Sequence, residues 1–241
     1  MRKIAFLSLI VITLAACAPA PTPSPTPAPP IPTPAPATPT PLPPTPTPAP
    51  STPIPKALTP TPLPPTATPT PAAKRVVLII AHKGFRDEEY ARPRAVFEAK
   101  GFQITVASSS LEMATGMLGA RVKPDILVSD IAVGNYDAIV FVGGVGAKEY
   151  WDDPNAHRIA REAVGQGKVL AAICIAPATL ARAGVLKGKR VTAFKGVIGE
   201  VRAGGATYTG ADVERDGLII TAIGPQAAAK WGEEIVKALG E

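Results

Sequence analysis

A cysteine stands where a strand-like run gives way to a helix-like one. Val169-Leu170-Ala171-Ala172-Ile173 is uniformly apolar, Cys174 follows at once, and Ile175-Ala176-Pro177 opens a helical-looking stretch from Ala178 to Gly184. A thiol at that junction sits at the positive end of the helix, where the first backbone N–H groups favour thiolate over thiol. The pattern predicts a nucleophile with a lowered pKa. The competing reading, a small buried core cysteine, is weakened by a second strand end rich in glycine. Gly143 and Gly144 follow the apolar run Ala138–Val142, and without side chains their amides can face a developing negative charge. Together with the amide of Ile175 they suggest an oxyanion hole, in which each donor is typically worth about 3 kcal/mol in acyl transfer. A dinucleotide-binding loop is the other reading of Gly143-Gly144-Val145-Gly146. It fails on spacing, because Glu149 occupies the third glycine position and the strand is not the first of the domain.

Asp87, Glu88 and Glu89 form the acidic cluster, placed where a helix should begin. Carboxylates there favour the positive helix end, which is reason enough for Asp87 and Glu88. One carboxyl pointing inward at the sulfur would be held protonated by burial beside an anion, able to donate to the thiolate or act as a general acid.

Strands and helices must carry these groups. Val76–Ile80, Gln103–Ala107, Ala138–Val142, Val169–Ile173 and Leu218–Thr221 read as strands, several of them apolar throughout, as strands buried on both faces are. Helices are predicted from Asp87 to Lys100, from about Pro154 to Val164, after Cys174, and from Gln226 to Leu239. Asp216-Gly217 marks a tight turn after Val213-Glu214-Arg215. This alternation predicts an α/β sandwich around a mainly parallel sheet. Ligands of such sheets bind beyond the carboxyl ends of the strands. Cys174, Gly143-Gly144 and the loop from Gly84 to Glu89 all fall at such ends and should converge.

Only the last part of the 241-residue chain has this character. Met1-Arg2-Lys3 is basic, Ile4–Leu14 is apolar and uncharged, and Leu14-Ala15-Ala16-Cys17 places small residues before a cysteine. The apolar run is too short to span a bilayer, so residues 1–17 read as a secretory signal. Its ending resembles the bacterial lipobox, after which Cys17 is the lipidated first residue of the mature protein; several acyl chains there would anchor it stably. Residues 18–73 are dominated by Pro, Thr and Ala. Proline at that density predicts a disordered, extended stalk, about 3.1 Å per residue. Residues 74–241 suit one domain. Three basic residues (Arg2, Lys3, Lys56) and no acidic ones precede Lys74, so the domain holds 22 of the 25 basic residues and all 19 acidic ones. That balance is too even to argue for nucleic acid. No metal-ligand cluster stands out and no cofactor is predicted. If Cys17 is acylated, Cys174 is the single free thiol.

The domain resembles the PfpI superfamily, which includes the parkinsonism-associated protein deglycase and relatives of class I glutamine amidotransferases. The likeness lies in Gly84-Phe85-Arg86-Asp87-Glu88-Glu89 with Pro93, Val142-Gly143-Gly144, and Ala171-Ala172-Ile173-Cys174 with Pro177. It continues in Ala183–Gly188 and in Asp216–Thr221 with Gly224-Pro225. The resemblance implies a flavodoxin-like α/β/α fold, usually dimeric, with Cys174 on a strained nucleophile elbow. It also implies Glu89 as the buried carboxyl and Gly144 and Ile175 as amide donors.

Two departures bear on function. Many members of the superfamily carry His directly after the cysteine, where this chain has Ile175; the deglycase branch has His after the following strand, where this chain has Phe194. His82, at the first strand end, and His157, expected on an exposed helix face, are the histidines that remain. Without a placed His the relay that peptide hydrolysis needs is missing, so peptidase activity is not expected. Three readings follow. The first is a cysteine enzyme acting on small aldehydes and dicarbonyls such as methylglyoxal. The second is a redox-responsive protein that holds an oxidised Cys174, and the third is a tethered module with a vestigial site. With the signal and stalk, each would sit at the bacterial envelope, outside the cytoplasm.

Overall fold

The computed structural model describes residues 73–240; the predicted signal, the lipobox Cys17 and the stalk up to residue 72 lie outside them. Seven strands make the central sheet: β1 (Arg75–Ile79), β2 (Gln103–Ser108), β3 (Ile126–Leu127), β4 (Ala138–Phe141), β5 (Val169–Ile173), β6 (Val213–Asp216) and β7 (Ile219–Ala222). Their order is β6-β7-β5-β4-β1-β2-β3. All neighbours run parallel except the β6–β7 hairpin at one edge. This is the mainly parallel α/β arrangement that the strand and helix pattern predicts, in the flavodoxin-like form that the resemblance implies.

Side-chain alternation along the central strands builds the two cores. Val76, Leu78 and Ile80 share one face with Val140, Ala171 and Ile173, covered by α1 (Asp87–Ala99) and α5 (Ala228–Ala238). Val77 and Ile79 face the opposite way, with Ile139, Phe141 and Leu170, against α2 (Pro154–Gly165) and α3 (Pro177–Arg182). Both faces of β1 are dry, which is why its sequence carries no polar residue after Arg75. Trp231 fills the α5 side and is fully buried, its indole N–H donating to the Ile220 carbonyl at 3.2 Å.

Helix α1 bears directly on the site. It begins on its acidic turn, and Pro93 lies inside it, packed against Gly232 of α5. Proline has no N–H to give back to residue 89, yet the helix continues because α5 holds it from outside. Helix α3 is shorter than its sequence suggests, six residues from Pro177. Helix α4 (Ile198–Ala203) and two small pairings, Lys83–Phe85 with Ala114–Gly116 and Arg190–Val191 with Thr207–Tyr208, have no clear periodic signal in the sequence. They are shaped by the loops they close.

Candidate active site

The three strand-end segments do converge. Cys174 immediately follows β5 and takes φ 63°, the single non-glycine residue with positive φ among those described. A side chain in that region costs on the order of 1–3 kcal/mol and persists only where neighbours over-determine it. They do so here on both sides. The Cys174 N–H donates to the Ala222 carbonyl at 2.9 Å, and the Cys174 carbonyl accepts from the Phe194 N–H at 2.8 Å. The bend lifts the sulfur out of the sheet into a cavity of about 450 Å³.

Glu89, in the first turn of α1, is fully buried and lines the same cavity. The three acidic residues divide their work. Asp87 accepts from the Leu118 and Ala120 amides at 2.8 and 2.7 Å, pinning the turn that carries Met117. Glu88 pairs with Arg86 at 2.8 Å. Glu89 alone turns inward, and neither of its oxygens has a hydrogen-bond partner of good geometry. Gly143 makes room for it. A Cβ on Gly143 would stand 2.5 Å from Glu89 Oε2 and 2.7 Å from Cys174 Cβ. Gly144, with φ 98°, presses its backbone onto Gly84 and Phe85, where a Cβ would lie 2.5 Å from the Gly84 carbonyl oxygen.

Burial pushes the Glu89 carboxyl up to about 7, with the facing thiol and the Gly143 amide pulling it back. Burial also pushes the Cys174 thiol up, to about 12; the Glu89 charge adds to that, while the Gly144 and Ile175 amides oppose it. The lowered thiol pKa expected from the sequence is therefore not found: burial first, and then the Glu89 charge, outweigh the two amides behind a short helix. The pair is better described together. Once it holds a single proton, moving that proton from sulfur to carboxyl shifts the one negative charge onto the sulfur, where it faces the Gly144 and Ile175 N–H donors.

The histidines do not join this group. His82 is absent from the cavity lining; its Nδ1 is buried without a partner, and its backbone N–H donates to Glu149. His157 is half-buried rather than exposed. Its Nε2 lies 2.7 Å from the Trp151 carbonyl, which can only accept, so that nitrogen carries the proton. Ile175 and Phe194, in contrast, both line the cavity.

The rest of the lining was not legible in the sequence. Met117, Val145, Trp151, Val197 and Pro225 supply apolar wall, with Arg86 and Lys148 beside them. Trp151 lies between two cations, Lys148 Nζ 5.5 Å and Arg182 Cζ 4.9 Å from its ring centre. Arg182 is fixed in turn by Asp152 and Glu200. The available signal was positional: Val145 and Trp151 follow the end of β4, and Pro225 follows the end of β7.

A cysteine elbow with a buried carboxyl at the strand ends of a flavodoxin-like sheet defines a recognisable class of α/β protein. The DJ-1/PfpI family model matches residues 74–238, and the chain belongs to that family. It is 40% identical over 168 residues to an uncharacterised protein of Methanocaldococcus jannaschii, covering 68% of this chain and 82% of that one. A deglycase of Pyrococcus abyssi is 31% identical over 163 residues, 68% of this chain and 98% of its own. A glutathione-independent glyoxalase of Caenorhabditis elegans is 27% identical over 168 residues, 70% of this chain and 90% of its own. Among solved structures, a ThiJ/PfpI domain protein from Brachyspira murdochii superposes with a TM-score of 0.68 at 30% identity, covering 70% of this chain and 97% of that one.

Proposed function

We propose that this protein is a cofactor-independent glyoxalase or deglycase acting on reactive dicarbonyls through Cys174 and Glu89. The observation that carries the reading is the strained Cys174 elbow facing the buried, unpartnered Glu89 carboxyl in one cavity. The relatives named as deglycase and glyoxalase support it.

The chemistry balances without an external oxidant. With the shared proton on Glu89, the Cys174 thiolate adds to the aldehyde carbon, and the carbonyl electron pair moves onto oxygen. The Gly144 and Ile175 amides hold that oxyanion until Glu89 protonates it. Glu89, now a carboxylate, removes the proton from the former aldehyde carbon and returns it to the neighbouring carbon, while the hydroxyl proton passes from the first carbon's oxygen to the second's. The first carbon is thereby oxidised to a thioester and the second reduced to an alcohol. Water then hydrolyses the thioester, releasing a 2-hydroxy acid and restoring the thiol. Conversion of methylglyoxal to lactate by the purified protein, lost in Cys174→Ser, is the expected result. Wild-type protein without turnover would overturn the reading.

A redox role is the second reading, favoured by a cavity that no histidine lines and by a carboxyl placed to hold an oxidised sulfur. Peroxide should then yield a stable Cys174 sulfinate in a protein that converts no aldehyde.

In the same proposal, Cys17 carries the lipid and residues 18–73 hold the domain away from a bacterial envelope membrane, outside the cytoplasm. Support comes from the ordered basic, apolar and small-residue signal ending at Cys17. Fractionation of Cys17→Ser should find the protein released or unprocessed. A homodimer, implied by the superfamily resemblance, is expected by light scattering.

A further inference from the structure

Resting on the glyoxalase reading above, we propose that the preferred substrate carries a sizeable apolar group, aryl or branched alkyl, beside its dicarbonyl. The cavity holds about 450 Å³, within the range of roughly 300–1,000 Å³ that accommodates drug-sized ligands. A water molecule takes about 30 Å³ in the liquid, so methylglyoxal, the size of a few waters, leaves most of this space unfilled. What remains is lined by carbon. Met117, Val145, Trp151, Phe194, Val197 and Pro225 reach it from loops that follow separate strands and turns.

Three of these residues are also among the most exposed large apolar side chains described, Val145 at 61% and Met117 and Phe194 at 41% each. Scattered singly such residues mean little, but converging on one cavity mouth they mark a surface that gains from being covered. The charged groups there are already engaged. Arg86 is paired with Glu88, and the Lys148 ammonium lies over the Trp151 ring. Ile175 and Phe194 put aliphatic and aromatic surface where the resemblance places imidazoles. Polar recognition is thus confined to the bottom of the pocket, at Cys174, Glu89 and the two amides, while the mouth offers apolar contact.

The test compares phenylglyoxal with methylglyoxal on the full mature protein, reading mandelate and lactate. Burial of the phenyl group predicts a kcat/KM at least about tenfold higher for phenylglyoxal, chiefly through KM. Val145→Asp and Phe194→Ser should each reduce that preference by about tenfold with little change in melting temperature. Equal or lower kcat/KM for phenylglyoxal overturns the inference and leaves the glyoxalase reading standing. So does a Val145→Asp protein that dissociates into monomers with unchanged selectivity, which would assign the apolar mouth to contact with a second copy. Conversion of neither aldehyde overturns the glyoxalase reading instead. The inference is then decided by whether acetophenone, and not acetone, protects Cys174 from iodoacetamide; equal or absent protection sinks it.

Discussion

The bottom and the mouth of the pocket are built by different rules. At the bottom the groups are few, polar and tightly constrained: Cys174 at positive φ, Glu89 fully buried, and Gly143, whose missing side chain lets them meet. At the mouth the groups are apolar, partly exposed and drawn from loops far apart in the chain. Reactivity therefore rests on backbone geometry that a single added carbon would disrupt. Selectivity rests on side chains that can change without disturbing the sheet. Substitutions at the bottom should alter whether the protein reacts, and those at the mouth should alter what it reacts with.

The largest effect should come from the sulfur. Cys174→Ser is expected to lower dicarbonyl turnover by at least about a thousandfold, because an alkoxide is not accessible where a thiolate is. Residual turnover above one per cent of wild type would detach the reaction from the elbow.

Glu89→Gln comes next, with a loss of about a hundredfold or more, since an amide cannot shuttle the proton. Two further readouts separate this from damage to the fold. Removing the carboxylate charge should move the pH profile of Cys174 alkylation to lower pH, because that charge helps push the thiol up. The variant should also be more stable at high pH. The folded carboxyl is held near 7 against about 4.3 in an unfolded chain, so the fold favours its protonated form. The wild-type contribution is fully present below the unfolded value and is lost as pH rises through the folded one. Above that point Glu89→Gln should melt higher, by the equivalent of up to about 4 kcal/mol, with the advantage vanishing near pH 4. A lower melting temperature at every pH would show that Glu89 is needed for packing.

The acid limb of wild-type turnover sharpens the same point. The reactive pair carries one proton, a form reached as pH rises through about 7 where Glu89 titrates. Turnover per mole should therefore climb about tenfold from pH 6 to pH 8. A flat profile would mean that Glu89 does not set the protonation of the pair.

Gly144→Ala probes the backbone that supplies one of the two amide donors. Its Cβ would collide with the Gly84–Arg86 backbone from a conformation that disfavours side chains, at a cost of about 2–4 kcal/mol in thermal unfolding. The smallest effect is expected from the proline-rich segment. A protein beginning at Ala73 should melt within a few degrees of the mature chain, because residues without backbone donors or apolar bulk add no core.

Much of this architecture was legible in the amino-acid order. Apolar runs such as Val76–Ile80 and Ala138–Val142 can be satisfied only between two helical layers, so the central strands, their parallel direction and the strand ends that carry Cys174 and Gly144 follow from local pattern, whereas the short edge strand Ile126–Leu127 does not. Glu89 was legible as one of three acids, and burial of α1 against the sheet chose it over Asp87 and Glu88. Tertiary structure alone decided the rest. The thiol pKa depends on burial and on a carboxylate 85 positions away in the chain, which together reverse what the adjacent amides would do. The histidines, visible as residue types, were placed outside the cavity by the way their loops pack. Trp151, Val145 and Phe194 make one surface because two loops far apart in the chain meet there. Sequence periodicity reports which face of an element is buried, whereas a pocket mouth is made where elements end and periodicity stops.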